Sequence, residues 1–382
     1  MNNFFKVLFF ILFLFKTNIS LSEDAKIKIG VLAPLSGDNK ELGQQIINSI
    51  RMALIDIDEN RIEIYPKDTK SDPDITLRSA LELEKMGINL VIGPIFHKNL
   101  IFLKEVKNIT FLSLTNKTLD LSKNIISAGI NSTSQLKTIK KFLELNEIKK
   151  TILLIPDLSY DLEIKKGIKN SKLRFYKEYY YSIEPTKLTK QIEEITNYEK
   201  RKQNLLDEIL RVENSDDVNK EKEIENLKKK YTLGNLKFDS VIIADFDESL
   251  KSVITSLLYT DVSPKEKFII TLNQWFDESL LEETNAQPIY YPSINKKNLD
   301  DFNLKFKKKF DFKPNHLSLL SYDLIGLIYY LSLKNDPKEI YKSFQTKNIF
   351  KGKIGIFEIK DNKINHQLNF YEISNGELKE IF

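Results

Sequence analysis

The stretch from Ile27 to Ile57 constrains the fold more than any other part of the chain. Residues 27–32 form a short, mostly apolar run, which is typical of a buried strand in a parallel sheet. A turn rich in Pro, Ser and Gly follows, and apolar residues then recur at steps of three and four across residues 42–57. A strand, a turn and an amphipathic helix in this order form the opening unit of a doubly wound α/β domain. Such domains bind ligands where their strands end.

The same alternation of strand and helix patterns continues in two sets, one before and one after residue 132. A chain of 382 residues is long enough for two lobes of ordinary size. We therefore predict an α/β protein with two Rossmann-like lobes that contain parallel sheets. The expected boundaries are 23–132 and 292–336 for lobe 1, and 133–291 and 337–382 for lobe 2.

Residues 184–234 interrupt the second set with helical spacing of apolar residues and a mixture of acidic and basic side chains. A narrow apolar stripe among many charges predicts a charged helical hairpin inserted within lobe 2. Near the end of the chain, residues 353–359 and 367–373 have strand patterns. We expect these two strands to pair as a closing hairpin.

The first 22 residues have the pattern of a signal peptide. Lys6 precedes nine apolar residues at 7–15, and small residues at Ser20 and Ser22 suit a cleavage site. A spanning helix needs roughly 20 apolar residues, so an uncleaved membrane anchor is the less favoured alternative. The sequence contains no cysteine, so we expect neither disulfides nor a cysteine-linked lipid anchor. These features predict an exported protein.

The motifs of several enzyme and cofactor sites are missing from the sequence. The net charge of +4 is small for this length and does not indicate nucleic acid as a partner. Gln44 and Gln45 stand where a phosphate-binding loop needs Lys and Ser or Thr. His97, His316 and His366 are far apart and lack zinc-ligand spacing. No nucleophile elbow occurs. We expect no catalytic residue, no cofactor and no metal.

Four residues at the predicted strand ends are candidates for binding a ligand. They are Ser36, His97, Thr115 and Tyr160, and each lies in a loop that should face the cleft between the lobes. Each also has a structural alternative. Ser36 could serve only the turn, His97 and Thr115 could be ordinary loop residues, and Tyr160 could pack between the lobes.

Several segments of the chain resemble the type I periplasmic binding proteins, the leucine/isoleucine/valine-binding family. The matching pieces are IKIGVLAPLSG at 27–37, LVIGPI at 90–95, PDLSYD at 156–161 and SYDLIGLIYYL at 321–331. Within that superfamily the chain is most similar to the penicillin-binding protein activators, the LppC or LpoA-like group. GPIFHKN at 93–99, YEKRKQNLLDEIL at 198–210 and IITLNQWFDESLLEE at 269–283 carry this second resemblance.

The resemblance implies a periplasmic, non-enzymatic protein that binds and stimulates a bifunctional penicillin-binding protein, the synthase of peptidoglycan. The alternative that it leaves open is the solute-binding receptor of an ABC transporter, with an amino acid or amide as a small-molecule ligand in the inter-lobe cleft. The amino-acid binders of the family place small hydroxyl residues after the Gly-Pro turn. Ile95 and Phe96 stand there in this chain, which favours the first function.

Overall fold

Five parallel strands form the sheet of the first lobe in the order β2-β1-β3-β4-β5. The computed structural model describes residues 26–58, 60–158 and 160–382, so the signal peptide predicted at 1–22 lies outside the described residues. The strands are β1 (Ile27–Ala33), β2 (Ile62–Asp68), β3 (Leu90–Ile92), β4 (Thr110–Ser113) and β5 (Ile125–Ser127).

Helices α1 (Lys40–Ile57) and α2 (Pro73–Lys85) cover this sheet, and two short 3₁₀ helices follow at His97–Leu100 and Leu103–Glu105. Helix α1 begins very close to the turn that precedes it. A Cβ atom on Gly43 would lie 1.8 Å from the carbonyl oxygen of Pro34, so only glycine permits this approach. The opening strand, turn and helix are therefore packed as the sequence predicts.

The sheet of the second lobe has seven strands in the order β15-β14-β10-β9-β8-β6-β7. Its five parallel strands, in the order β7-β6-β8-β9-β10, repeat the order of the first sheet. Strand β14 pairs antiparallel with β10, and β15 pairs antiparallel with β14. The shared order is one of the two common doubly wound arrangements, which confirms the predicted pair of Rossmann-like lobes. The strands are β6 (Thr151–Pro156), β7 (Lys177–Tyr181), β8 (Ser240–Ile243), β9 (Phe268–Thr271), β10 (Ile289–Ser293), β14 (Asn369–Ser374) and β15 (Glu377–Glu380).

The helices between these strands pack on the second sheet, and three of them form the charged insertion. They are α3 (Ser132–Leu145), α4 (Asp161–Ser171), α5 (Pro185–Thr196), α6 (Tyr198–Glu213), α7 (Lys220–Lys228), α8 (Asp247–Tyr259) and the short α9 (Ser279–Glu282). Helix α5 packs against α8 and joins the core of the second lobe. Helices α6 and α7 are the hairpin of the insertion, and they share a small apolar cluster of their own around Leu205, Val212 and Leu227.

A buried arginine fastens this hairpin to the rest of the second lobe. Arg201 on α6 is 6% exposed, and its guanidinium donates to the carbonyl oxygen of Thr196 at 3.1 Å and to the hydroxyl of Thr232 at 3.0 Å. It also donates to the carbonyl oxygen of Thr260, at the end of α8. Three donors of one planar guanidinium, directed at fixed acceptors, orient the hairpin.

The chain then returns to the first lobe through two long helices, α10 (Lys296–Phe310) and α11 (His316–Ser332). Their apolar faces, including Phe302, Phe306 and Leu324, belong to the same core as β1 and α1. A 3₁₀ helix at Pro337–Phe344 leads into a separate antiparallel sheet of β11 (Asn348–Lys351), β12 (Ile356–Lys360) and β13 (Lys363–Gln367).

The structure corrects two expectations for the end of the chain. The segment 337–382 is not wholly part of the second lobe, because Phe357 and Ile364 of the three-stranded sheet join the core of the first. The strands expected to pair as a closing hairpin also have other partners: β12 pairs with β13, and β14 pairs with β10 and β15. Asp361 and Asn362 both have positive φ, 51° and 57°, and this turn directs β13 back along β12.

Two buried titratable groups in the first lobe have opposite effects on its stability. Burial raises the pKa of Asp323 to about 6, against hydrogen bonds from the backbone of Ile354 and Lys353. Burial lowers the pKa of His366 to about 4, and its Nε2 lies 2.8 Å from the carbonyl oxygen of Ala128. As pH falls from 6 to 4, protonation of Asp323 stabilises the folded state relative to the unfolded state, while protonation of His366 stabilises the unfolded state.

We expect the pH dependence of stability in Asp323→Asn to follow the titration of His366, because the opposing contribution of Asp323 is removed. The folded pKa of Asp323 lies above its unfolded value, so its contribution to stability is present at low pH and is lost as pH rises through about 6. The difference in unfolding free energy, variant minus wild type, should therefore fall by about 2.4 kcal/mol between pH 7 and pH 4. Urea unfolding at several pH values measures it. His366→Gln should change in the opposite direction, and a difference independent of pH would contradict the assignment.

Candidate functional site

The loops that face each other between the lobes follow the topological switch point of each sheet. In the order 2-1-3-4-5 the switch point lies between the first and third strands of the sheet. In the first lobe these are β1 and β3, which precede Ser36 and His97. In the second lobe they are β6 and β8, which precede Tyr160 and Asp245. Ligands of doubly wound folds bind at such points.

Ser36 is held by an acidic residue at the end of the neighbouring strand. Its hydroxyl donates to Oδ2 of Asp68 at 2.5 Å. The other carboxyl oxygen of Asp68 accepts from the backbone N–H groups of Leu35 at 2.8 Å and Lys70 at 2.9 Å. Burial opposes ionisation of Asp68, but these hydrogen bonds hold its pKa below the ordinary value. The serine therefore stabilises its own turn.

The other two candidates of the first lobe lie in the loops after β3 and β4. His97 is half-buried and begins the 3₁₀ helix that follows Gly93 and Pro94. Thr115 is buried, and its carbonyl oxygen accepts from the hydroxyl of Ser127 at 2.6 Å. Thr115 thus connects β4 to β5.

Tyr160 is bound into the second lobe. Its hydroxyl lies 3.1 Å from the carbonyl oxygen of Ala244 and 3.2 Å from Oδ1 of Asp245. Its ring packs beside that of Phe246 at 6.2 Å between centroids. Burial, and then the charge of Asp245, raise the pKa of Tyr160 well above its ordinary value. At neutral pH the Tyr160 hydroxyl therefore remains protonated and donates to the Ala244 carbonyl oxygen and to Asp245.

Asp245 collects donors from several elements of the second lobe. Its carboxyl oxygens accept from the hydroxyls of Tyr181 and Ser249, each at 2.5 Å, and from the backbone N–H of Phe246 at 2.9 Å. Its carboxyl group is 3% exposed. Buried acidic groups are stable only when such donors surround them. Asp245 is not among the candidates predicted from the sequence, although its position just after a buried strand is a usable signal.

A second acidic residue joins the two lobes directly. Glu163 on α4 accepts from the backbone N–H groups of Thr118 and Leu119, both at 2.6 Å, and from the Thr118 hydroxyl at 2.9 Å. Lys166, one turn further along α4, donates to the carbonyl oxygen of Thr118. Thr118 belongs to the loop between β4 and β5 of the first lobe, so Glu163 and Lys166 connect the two walls of the cleft.

An aromatic contact makes a further connection between the lobes. The ring of Trp275, in the loop after β9, stacks on that of His316 at the start of α11, with 4.5 Å between centroids. Phe276 packs against the cores of both lobes. Burial lowers the pKa of His316, which favours the neutral ring.

The described part of the chain contains no group of three or more His, Asp or Glu side chains arranged to hold a metal ion. None of its helices has the length and apolar character needed to cross a membrane. The four candidate residues thus lie in loops that follow strand ends, and two of them, Ser36 and Tyr160, bond to the protein's own carboxyl groups.

Comparison with known proteins agrees with the fold. Residues 26–196 match the model of a family described as periplasmic binding protein. Comparison with curated protein sequences finds no match. The chain is similar in structure to the C-terminal domain of LpoA (YraM) from Haemophilus influenzae, a regulator of PBP1A, with a TM-score of 0.63 and 14% identity over 93% of this chain and 100% of that domain. It covers 59% of full-length LpoA.

Amino-acid-binding proteins are also similar to this chain. A putative branched-chain amino acid ABC transporter protein from Rhodospirillum rubrum has a TM-score of 0.70 and 12% identity over 93% of this chain and 100% of that one. LivJ from Streptococcus pneumoniae, solved with isoleucine, has a TM-score of 0.53 and 17% identity over 93% of this chain and 98% of that one. Similarity at these identities establishes the fold, which is that of the type I periplasmic binding proteins.

Proposed function

We propose that this chain, with its type I periplasmic binding protein fold, is a non-enzymatic periplasmic regulator of peptidoglycan synthesis. In this proposal it activates a bifunctional penicillin-binding protein by protein contact. The proposal rests on the hydrogen bonds that the candidate residues of the cleft make within the protein itself. The hydroxyls of Ser36 and Tyr160 bond to carboxyl groups of the protein, and Glu163 connects the two walls. Groups satisfied in this way are poorly placed to receive a solute.

The insertion is the surface that we assign to the partner. Leu206 and Leu210 on α6 are 48% and 55% exposed and lie one helical turn apart. The hairpin is anchored through Arg201, so the two leucines are presented on a fixed support rather than on a flexible loop. The similarity to LpoA, a regulator of PBP1A, supports this assignment.

We expect the double substitution Leu206→Ser and Leu210→Ser to weaken binding to the bifunctional penicillin-binding protein of the same organism. Truncating a hot-spot residue of an interface costs about 2 kcal/mol or more, so loss of these two side chains should raise the dissociation constant by about 30-fold. Because both side chains are exposed, the melting temperature should be almost unchanged. Pulldown and biolayer interferometry with the purified synthase measure the effect.

The matched control is Leu145→Ser, since Leu145 is 63% exposed at the end of α3 and lies outside the insertion. It should bind the synthase as the wild type does. Full affinity in the double variant would exclude α6 as the contact surface. Failure of the wild-type protein to bind any bifunctional synthase would overturn the proposed function itself.

The alternative function is a solute-binding receptor of an ABC transporter for amino acids or amides. The switch-point loops and the similarity to LivJ with isoleucine favour it. A receptor that binds its solute only when folded must melt at a higher temperature in its presence. A thermal-shift screen against amino acids and peptidoglycan fragments therefore separates the two functions. Stabilisation by several degrees with one amino acid, together with no binding to a synthase, would establish the receptor.

A further inference from the structure

A cavity of about 730 Å³ lies between helix α10 of the first lobe and the loop after β9 of the second. Its walls are largely apolar and come from both lobes, with contributions from Phe276, Leu281, Leu299, Leu304, Ile373 and Leu378. The volume of this cavity and the apolar character of its walls are typical of sites that bind small molecules. The cavity is separate from the four residues that the sequence selects, because none of them lines it.

Two buried polar groups near this cavity lack hydrogen-bond partners within the described residues. They are the hydroxyl of Tyr291, a residue that lines the cavity, and Nδ2 of Asn273. Oδ1 of Asn273 accepts from the hydroxyl of Ser293 at 2.8 Å, and Ser293 lies two positions after Tyr291 on the same strand. Residues two apart on a strand project from the same face about 7 Å from each other. Tyr291 and Ser293, the hydrogen-bond partner of Asn273, thus lie on the same face of β10.

Unpaired donors of this kind are rare in folded proteins because each loses its hydrogen bonds to water on burial. The site has no compensating acceptor among the described residues. A ligand that brings an acceptor to them would remove that penalty. The geometry therefore favours a ligand over a purely structural role for these two groups.

The loop that covers these donors has an unusual backbone. Trp275 and Phe276 have φ angles of 50° and 61°, in the left-handed region that bulky side chains rarely adopt. The Phe276 ring lies over those of Tyr291 and Tyr371, with centroid distances of 6.1 and 5.1 Å. Two consecutive bulky residues in this conformation strain the backbone. Contacts with His316 and the tyrosines hold the loop closed against that strain.

We propose that this cavity binds a small apolar molecule that carries an uncharged carbonyl oxygen, and that Trp275 and Phe276 are the lid of the site. When the lid moves, the carbonyl oxygen accepts from the Tyr291 hydroxyl. The Tyr291 hydroxyl is a neutral donor and Asp277 lines the same cavity, so an uncharged carbonyl suits this hydroxyl better than a carboxylate. Lys296, Lys307 and Lys313 line the cavity too, as do Asp277, Glu278 and Asp300, and the lysines provide cations for an anionic group of the ligand. The proposal is independent of any contact with a synthase.

The test uses two compounds that differ only at the carbonyl. We expect 4-benzoylbenzoate to bind the full chain about 10-fold more tightly than 4-benzylbenzoate, in which a methylene group replaces the carbonyl. Isothermal titration calorimetry measures both dissociation constants. Trp275 is the only tryptophan, so protein labelled with 5-fluorotryptophan gives a single fluorine resonance. That resonance should shift when the benzoyl compound binds and the ring leaves His316.

Tyr291→Phe removes the unpaired hydroxyl and nothing else. The variant should be at least as stable as the wild type, because the lost group has no partner, and it should bind the two compounds with nearly equal affinity. Tyr290→Phe is the matched control, since Tyr290 packs on the opposite face of the same strand, and it should keep the preference. Trp275→Ala should bind the benzoyl compound more tightly than the wild type does.

Absence of binding by both the wild type and Trp275→Ala would overturn the site. A preference for the benzoyl compound that survives Tyr291→Phe would overturn the role of the hydroxyl. A fluorine resonance that does not move on binding would overturn the lid. None of these results bears on binding of the synthase, which the leucine variants of α6 test separately.

Discussion

Asp245→Ala should lower the free energy of unfolding by about 4 kcal/mol. The substitution leaves the hydroxyls of Tyr181 and Ser249 and the backbone N–H of Phe246 without their acceptor. Each buried polar group that loses its partner costs about 1–3 kcal/mol. The carboxyl group is 3% exposed, so water compensates little. Urea unfolding at pH 7 measures the loss as a decrease in the transition midpoint.

The matched control is Asp216→Ala in the exposed turn between α6 and α7, which should change the unfolding free energy by less than about 0.5 kcal/mol. Asp245→Asn retains one acceptor oxygen and should lose less than the alanine variant. If Asp245→Ala and Asp216→Ala unfold at the same urea concentration, Asp245 does not organise the second wall of the cleft.

Glu163→Ala should separate the two walls of the cleft. The carboxylate holds two backbone N–H groups and one hydroxyl of the first lobe, and hydrogen bonds to charged groups contribute about 1.5–3 kcal/mol each. We expect the amide hydrogens of Thr118 and Leu119 to exchange with solvent about 10- to 100-fold faster than in the wild type. Hydrogen exchange read by mass spectrometry on peptides that cover this loop measures the change.

Small-angle X-ray scattering of the same variant should show an increase in the radius of gyration as the lobes open. The matched control is Glu144→Ala on α3, where the carboxylate is exposed and lies 3.8 Å from Lys140. Exposed pairs of this kind contribute little, so exchange at Thr118 should not change. Unaltered exchange in Glu163→Ala would show that other contacts, such as the stack of Trp275 on His316, keep the lobes together.

Asp245 and Glu163 also show the limit of predicting the site from sequence. Ser36, His97, Thr115 and Tyr160 could be selected because strand ends are visible as apolar runs followed by turns. Their partners could not be selected, since Asp68, Asp245 and Glu163 are three acidic residues among the 54 of the chain. Which acidic side chain meets which hydroxyl depends on the packing of segments far apart in sequence.

The ending of the chain shows a similar limit. Strands at 356–360 and 369–374 were both visible as alternating apolar patterns, but their partners were predicted incorrectly. Register and pairing depend on the turn, and the turn at Asp361 and Asn362 pairs β12 with β13. The buried side chains of β12 then pack in the core of the first lobe rather than in that of the second.

The sequence by itself determined the doubly wound character of both lobes, because hydrophobic periodicity and turn residues act over short distances along the chain. It also indicated charged helices within 184–234, since a narrow apolar stripe among mixed charges needs no distant partner to be recognised, but it did not separate α5, which packs in the core of the second lobe, from the hairpin of α6 and α7. Only the tertiary structure decided the state of the cleft. Hydrogen bonds such as those of Glu163 to Thr118, and unpaired donors such as the hydroxyl of Tyr291, exist only after distant segments pack, and local pattern carries no information about them.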